Sequence, residues 1–315
     1  MKAIAIDLGG THATVAAVEN VRILASEEIS LDCLQGLAPA LPLLAQSIRN
    51  VLSRAVLKPS DIAGVALSFC GLADVNTGRV ISTNKKYDDA TDLDLPRWCR
   101  QEFGLNFLIE NDARMALLGE WYAGAARGTD DVVMITLGTG IGGAAMMNGS
   151  LIRGKHLQGG CLGGHLPVLF TGRECTCGAI GCAEAEASGW SLPLIAKEWP
   201  GFANSELAKV DDINFRALFE SAARGDKVAV AIRDRCLKVW AAGAVGLIHA
   251  YDPEKIVIGG GVMCSADVII PAIQDHVAKH SWTPWGTVQV VAAELGNYAG
   301  LLGAVPLLRT YSNTG

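Results

Sequence analysis

The stretch Lys2-Ala-Ile-Ala-Ile-Asp7-Leu-Gly-Gly-Thr11 returns in altered form as Val132-Val-Met-Ile-Thr136-Leu-Gly-Thr-Gly-Ile141-Gly-Gly143. In each, an apolar run of strand length enters a glycine-rich turn that holds a Thr. Apolar residues then resume, from Ala13 to Val18 in the first copy and from Ala144 to Met147 in the second. The pattern reads as strand, tight turn and antiparallel return. Its recurrence predicts two similar α/β halves facing each other, a pair that makes a cleft able to close on a ligand.

Working outward, Arg22 to Glu28 reads as a third strand, reached through a turn at Glu19-Asn20. A helix is expected over about 37–57, with apolar residues at Leu41, Leu44, Ile48 and Leu52. Val65 to Ser68 and Phe107 to Glu110 read as buried strands, and a helix follows the latter over about 113–123. After the second glycine turn come a helix over about 228–250, a strand at Lys255 to Ile258, the turn Gly259-Gly260-Gly261 and a last helix over about 298–308. No low-complexity linker divides the halves. The boundary is set near residue 115: a small N-terminal lobe over 1–115, a larger lobe over 116–297, and a C-terminal helix of about 298–315 packing back on the first.

Composition narrows the function classes. Half of the 315 residues are hydrophobic and 18% are charged, enough apolar content for a large core and too much for disorder. A net charge of -6 argues against nucleic acid or an anionic membrane as a bulk partner. A nucleotide remains open, since it needs only a few amide donors and a metal ion. Apolar runs are strand-sized, and the first strand begins directly after Met1, so no signal or transit segment is read and the chain is expected in the cytoplasm. Nine cysteines are an odd number in a long chain, a poor match to a secreted disulfide framework.

Each of three apolar strands leads into glycines: Gly9-Gly10-Thr11, Gly138-Thr139-Gly140 and Gly259-Gly260-Gly261. Glycine lets backbone N–H groups crowd round an anion, and Thr adds a hydroxyl donor. One such turn alone serves only backbone geometry. Three in this order, with Asp7 opening the first, point to phosphate. None carries the Gly-Lys-Ser/Thr ending of a P-loop, and a strand rather than a helix follows Gly143, unlike a dinucleotide fingerprint.

Glu110-Asn111-Asp112 closes a strand and opens a helix. Asp112 is either an acidic first-turn residue favoured by the helix dipole or a general base facing the ligand, and spacing leaves the two readings level. The set His165, Cys175, Cys177 and Cys182 is sharper. It offers four ligands for tetrahedral zinc, with Gly178 and Gly181 relaxing the knuckle between sulfurs. Four protein ligands leave no open position, which makes the zinc structural.

These residues resemble the ROK family, named for repressors, open reading frames and kinases, over essentially the whole chain. The likeness runs through Asp7-Leu-Gly-Gly-Thr11, the turn from Ser68 through Gly71 to Asp74, Asn84 and Glu110-Asn-Asp112. It continues through Gly138 to Gly143, Gly164-His165, Cys175-Thr-Cys-Gly-Ala-Ile-Gly-Cys182-Ala-Glu184, the Gly259 turn and Ala299-Gly-Leu-Leu-Gly-Ala304. The resemblance implies a two-lobed, actin-like ATPase (ribonuclease H-like) fold with ATP and a sugar between the lobes. It implies Asp112 as the base that deprotonates the acceptor hydroxyl, usually that on C6. Asn84, Asn111, His165 and Glu184 match sugar-contacting positions, and Gly71 lies in the sugar-side turn. His165 would also ligate zinc, and Asp7 would help place magnesium. Gly9, Gly10, Thr11, Gly138, Thr139 and Gly140 would hold the phosphates, with Gly260 and Gly261 bordering the adenosine. A homodimer is what the family suggests.

The chain departs from the family at Leu162, where a Glu usually holds hydroxyls near C1 and C2. An apolar chain there leaves such hydroxyls unsatisfied. The expectation is a substrate that differs at those carbons: a ketose, an anhydro, deoxy or substituted sugar, or a cyclitol. His12 replaces the usual Lys or Asn. Lys85-Lys86 reads as a solvated pair, with an extension of the sugar-side loop toward an acidic substituent as the alternative. A sugar-responsive regulator is the alternative function, disfavoured because the first strand begins too near Met1 to leave room for a DNA-binding segment. A degenerate sugar sensor is a third reading, opposed by the retention of Asp7, Asp112 and both phosphate turns.

Overall fold

The computed structural model describes residues 1–312 and divides into two compact units. One comprises residues 1–128, 153–159 and the chain from 294 onward; the other comprises 129–152 and 160–293.

The first unit opens with β1 (Lys2–Leu8), β2 (His12–Glu19) and β3 (Arg22–Ser30), followed by α1 (Leu41–Arg54). Then come β4 (Val65–Phe69), the short hairpin β5 (Leu72–Asp74) and β6 (Arg79–Ser82), α2 (Leu95–Phe103), β7 (Phe107–Asn111) and α3 (Asp112–Ala123). Its five-stranded sheet has the order β3-β2-β1-β4-β7, with β1 antiparallel to β2 and parallel to β4. Residues 3–6 of β1 are buried without a break, as a central strand covered on both faces requires. The two-residue period puts Ile4, Ile6 and Leu8 on the face covered by Leu44, Ile48 and Val51 of α1. Asp7 projects from the opposite face.

The second unit repeats the plan. It holds β8 (Val132–Leu137), β9 (Ile141–Met147), β10 (Ser150–Leu151), α4 (Ala183–Ala187), α5 (Leu192–Glu198), α6 (Phe215–Ala223), α7 (Lys227–Tyr251), β11 (Lys255–Gly259), α8 (Ala266–His280) and β12 (Gln289–Ala292). The sheet order is β10-β9-β8-β11-β12, again a central strand antiparallel to its return and parallel to the next. Val133, Ile135 and Leu137 share a core with apolar residues of α5, α6, α7 and α8.

The chain then re-enters the first unit through α9 (Ala299–Leu302) and α10 (Ala304–Ser312). Here glycine permits close helix packing: a Cβ on Gly119 of α3 would collide with the Ala299 carbonyl, and one on Gly303 with that of Met115. The strands and helices read from hydrophobic periodicity are all present. The β5–β6 hairpin, α2, α4, α5, α6, α8 and β12 are absent from the sequence reading and emerge only in the structure. Among the described residues no helix is long and apolar enough to cross a membrane.

Candidate active site

In the first unit three parallel strands end side by side, and their carboxyl ends carry the candidate site residues. Register sets Asp7 beside Ser68, Ser68 beside Glu110 and Phe69 beside Asn111. Asn111 caps α3, its side-chain oxygen accepting the N–H groups of Ala113 (3.1 Å) and Arg114 (3.3 Å). Its amide nitrogen donates to the Gly71 carbonyl (3.1 Å) and to Asp112 Oδ1 (2.9 Å). Both amide protons are therefore spent on positioning. Gly71 is sterically obligatory, because a Cβ there would run into the Ser82 carbonyl and lie 2.8 Å from the Phe69 ring.

Asp112 Oδ1 accepts a second bond, from the Ala113 N–H at 2.8 Å, while no protein donor among the described residues meets Oδ2. One oxygen is thus anchored and the other presented. Desolvation raises the Asp112 carboxyl to about 6; the Ala113 N–H opposes it, the Asp7 charge adds to it, and Lys86 and Asn111 oppose it. By surface area the residue is exposed, so water moderates the size of the rise while its direction stands. Asp7 is also raised, first by desolvation, against the Ser68 hydroxyl and His12. Ser68 Oγ is fully buried and lies beside Asp7 without reaching hydrogen-bond geometry. A carboxylate next to an orphaned hydroxyl suits a hydrated magnesium ion, whose waters would satisfy both.

The carboxylate of Glu110 points inward instead. It is fully buried and pairs with Arg114 (3.3 Å) and Arg153 (2.7 Å). Arg114 Nη2 also donates to the carbonyls of Leu157 (2.9 Å) and Gly159 (2.6 Å). This network ties the 153–159 segment to the first unit and fixes the start of α3.

The first glycine turn keeps two donors available. Gly9 N–H closes the hairpin on the His12 carbonyl at 2.9 Å, while the N–H groups of Gly10 and Thr11 meet no protein acceptor among the described residues. The second turn, in the other unit, repeats this. Gly138 N–H bonds the Gly140 carbonyl at 3.0 Å, leaving the N–H groups of Thr139 and Gly140 in the same condition. Two adjacent free amides are what an anion such as phosphate requires. The third turn explains its glycine sterically. Gly260 has φ +96, and a Cβ there would strike the Leu137 carbonyl. Gly261, Gly138 and Thr139 line a cavity of about 380 Å³ within the second unit, with Trp190, Asn214 and Arg216 among its other walls. A cavity of about 350 Å³ in the first unit, walled by Asn76, Arg100 and Asn106, holds none of the residues singled out above.

The zinc motif comes together as the spacing predicts. The ligand atoms of His165, Cys175, Cys177 and Cys182 all lie within 4.8 Å of one another. Cys177 Sγ stands 3.7 Å from Cys182 Sγ, and His165 Nδ1 stands 3.4 Å from Cys175 Sγ. Tetrahedral zinc with bonds of about 2.3 Å to sulfur sets sulfur–sulfur edges near 3.8 Å, so these residues fit the ion. Nδ1 faces the sulfurs, which leaves Nε2 of His165 uncommitted. Gly178 (φ +88) and Gly181 (φ +71) provide the left-handed backbone of the knuckle.

Cys182 also caps α4, and Glu184 occupies the first turn of that helix. Its Oε2 accepts the Ile141 N–H at 2.8 Å, and its Oε1 accepts Trp190 Nε1 at 3.3 Å. Glu184 thus supports the second glycine turn, where a Cβ on Gly140 would approach its carboxylate to 2.6 Å. Leu162 is 41% exposed and caps the short helical turn Gly163–His165. Asn84 is exposed with φ +40 in a loop where Lys85 (φ +59) and Tyr87 (φ +57) are also left-handed. Such conformations cost of order 1 kcal/mol each in residues with a Cβ, so the loop is held by its surroundings. The sequence reading names Ser68 only within a turn, Lys86 only as one of a lysine pair and Tyr87 not at all; the fold brings all three to the first turn.

A family model described as the ROK family matches residues 3–311. The chain is 31% identical to a glucokinase of Thermotoga maritima, over 98% of each chain. It resembles the crystal structure of a ROK hexokinase from Thermus thermophilus (28% identity, all of both chains, TM-score 0.82). It also resembles a ROK family glucokinase from Streptomyces griseus in complex with glucose and AMPPNP (30% identity, 98% of this chain and all of that one, TM-score 0.79). With a family model spanning nearly its whole length and relatives of matching length, the chain belongs to the ROK family.

Proposed function

We infer that the chain is an ATP-dependent sugar kinase that phosphorylates a hydroxyl, that on C6, of a hexose or hexose-like substrate. The observation that carries this reading is the state of Asp112. One carboxylate oxygen is anchored by Ala113 and Asn111, the other is unopposed, and the group is raised to about 6. Such a carboxylate is ionised near neutral pH yet basic enough to take a hydroxyl proton as the oxygen attacks phosphorus. The sugar O–P bond forms as the bond from the γ-phosphorus to the bridging oxygen breaks, and the leaving electron pair departs with ADP.

The rest of the chemistry is positioning and charge. The amides of Gly10 and Thr11 in one unit, and of Thr139 and Gly140 in the other, are suited to phosphate oxygens. The cavity beside Gly138 and Gly261 has room for a nucleoside. Asp7, with Ser68 at its side, would hold magnesium, which neutralises phosphate charge when bound. His165, Cys175, Cys177 and Cys182 would hold a structural zinc. Sugar recognition falls to Asn84 in the first unit, with Asn111 and Gly71 setting the local geometry. In the second unit it falls to His165 through Nε2 and to Glu184 through its remaining lone pairs. Leu162 stands where a carboxylate would accept hydroxyls at C1 and C2, so the favoured substrate is altered at those carbons.

The test is ADP release with ATP and magnesium over a panel of glucose, mannose, fructose, allose, N-acetylhexosamines, anhydrohexitols and inositols. Turnover of one compound, lost in Asp112→Asn, is the expected result. Silence of a folded, zinc-loaded protein across the panel would overturn the reading, and a strong preference for glucose would overturn the part that rests on Leu162.

A further inference from the structure

The fold brings Lys86 to the first glycine turn. A Cβ built on Gly10 would lie 3.6 Å from Lys86 Cε and 3.8 Å from its Nζ. The ammonium group therefore stands beside the amides of Gly10 and Thr11, and near enough to Asp112 to act on its charge. Asp7, Cys33, Cys70, His12, Tyr87 and Asp32 are further titratable groups of this neighbourhood. The Lys86 side chain makes no ion pair or hydrogen bond among the described residues, although Asp112 is near enough to feel its charge. It is only partly exposed, unlike its neighbour Lys85, which is open to solvent.

The loop that carries Lys86 is built to hold it there. Tyr87 is completely buried, donates its hydroxyl to the Gly9 carbonyl at 2.6 Å, and donates its N–H to the Cys33 carbonyl at 2.9 Å. Thr83 Oγ1 bonds Asp88 at 2.5 Å, and Asp89 accepts the N–H groups of Leu37 (2.5 Å) and Ala38 (2.8 Å). Three non-glycine residues of this loop are left-handed, a backbone that persists only where the surroundings over-determine it. The Tyr87–Gly9 bond fastens the loop to the glycine turn itself. A surface lysine needs no such scaffold.

Resting on the kinase reading above, we propose that Lys86 is a further catalytic residue, whose ammonium ion contacts the oxygens of the transferred phosphoryl group. Charge spreads over those oxygens as the bond to ADP loosens, and a fixed cation beside the turn amides stabilises it where it develops. Lys86 stays protonated throughout. The hydroxyl proton goes to Asp112, and the electron pair of the broken bond goes to ADP.

The experiment compares Lys86→Met, Lys86→Arg and Lys86→Ala with the parent chain on its best sugar. Lys86→Met is expected to lower kcat by about 10²–10³-fold, with the sugar KM changed less than about threefold. Lys86→Arg should recover a large part of the loss, and added ethylammonium should raise the rate of Lys86→Ala in a saturable way. Chemical rescue of that kind does not arise from a merely structural defect. An undiminished kcat in Lys86→Met would overturn this inference and leave the kinase reading intact. So would a loss confined to KM for acidic sugars, or equal damage in the Met and Arg variants without ethylammonium rescue. A parent chain that turns over no sugar would overturn both.

Discussion

The two glycine turns share one backbone plan and receive opposite supports. Each ends a central strand, closes on itself through its first glycine and leaves two consecutive amides available. Position for position, Asp7 of the first corresponds to Thr136 of the second. The first turn is surrounded by ionisable groups: Asp7, Asp112, Lys86 and His12. The second is braced by one carboxylate, Glu184, whose oxygens are occupied by Ile141 and Trp190 on a helix capped by a candidate zinc ligand. On the proposed reading, one cradle is set among reacting groups and the other is braced by a helix.

The largest effect that tests this contrast is at Asp112. Asp112→Asn should lower kcat by about 10²–10⁴-fold while leaving ATP binding near normal. In the parent chain log kcat should rise with pH through about 6, as the carboxyl loses its proton, and level off above. The stability sign is the reverse. A carboxyl raised by folding favours the native state below its unfolded value of 3.8, and that benefit is lost as pH rises through about 6. Asp112→Asn should therefore melt higher than the parent at pH 7.5, by a margin that shrinks towards pH 4. A margin that grows on acidification would contradict the raised carboxyl.

Zinc should matter next, through the second turn and through His165. The purified chain is expected to hold one zinc, and Cys177→Ser or chelation should lower Tm and raise the KM for ATP. A chelated protein that keeps its melting temperature and nucleotide affinity would separate the knuckle from the turn. Leu162→Glu is expected to improve kcat/KM for glucose about tenfold or more, by giving hydroxyls at C1 and C2 an acceptor. No change in sugar preference would remove Leu162 from the specificity argument. Glu184→Ala is a smaller perturbation. The lost partners of Ile141 and Trp190 should cost about 1–3 kcal/mol and raise the ATP KM around tenfold, with the pH limb near 6 unmoved. Movement of that limb would mean that the two turns are not divided as described. Smallest of all, Asn111→Ser keeps an N-cap for α3 but frees the Gly71 carbonyl and removes one of the two donors to Asp112 Oδ1. It should reduce kcat more than it reduces stability.

Much of this was legible beforehand. The strands that set both sheets are apolar runs bounded by glycine, and the cysteine spacing pointed to a metal cluster before any coordinates. The β5–β6 hairpin and β12 were not legible, because strands of three or four residues leave no measurable period. Nor was the role of Asn111, whose amide could have faced a ligand and instead bonds Gly71 and Asp112. Lys85 and Lys86 look alike in the sequence, and only the loop between β6 and α2 separates a solvent-facing lysine from one beside the turn.

By itself the sequence determined the repeated strand-turn-strand units, the two glycine cradles, the candidate metal ligands and the family, since each depends on residues near one another along the chain. Strand register and loop closure decided the rest. They set Asp7 beside Ser68, anchored one oxygen of Asp112 while presenting the other, and turned Glu110 inward to two arginines. They also brought Lys86 to a turn 76 positions earlier in the chain. Those are meetings between residues far apart in the chain, and no local pattern encodes them.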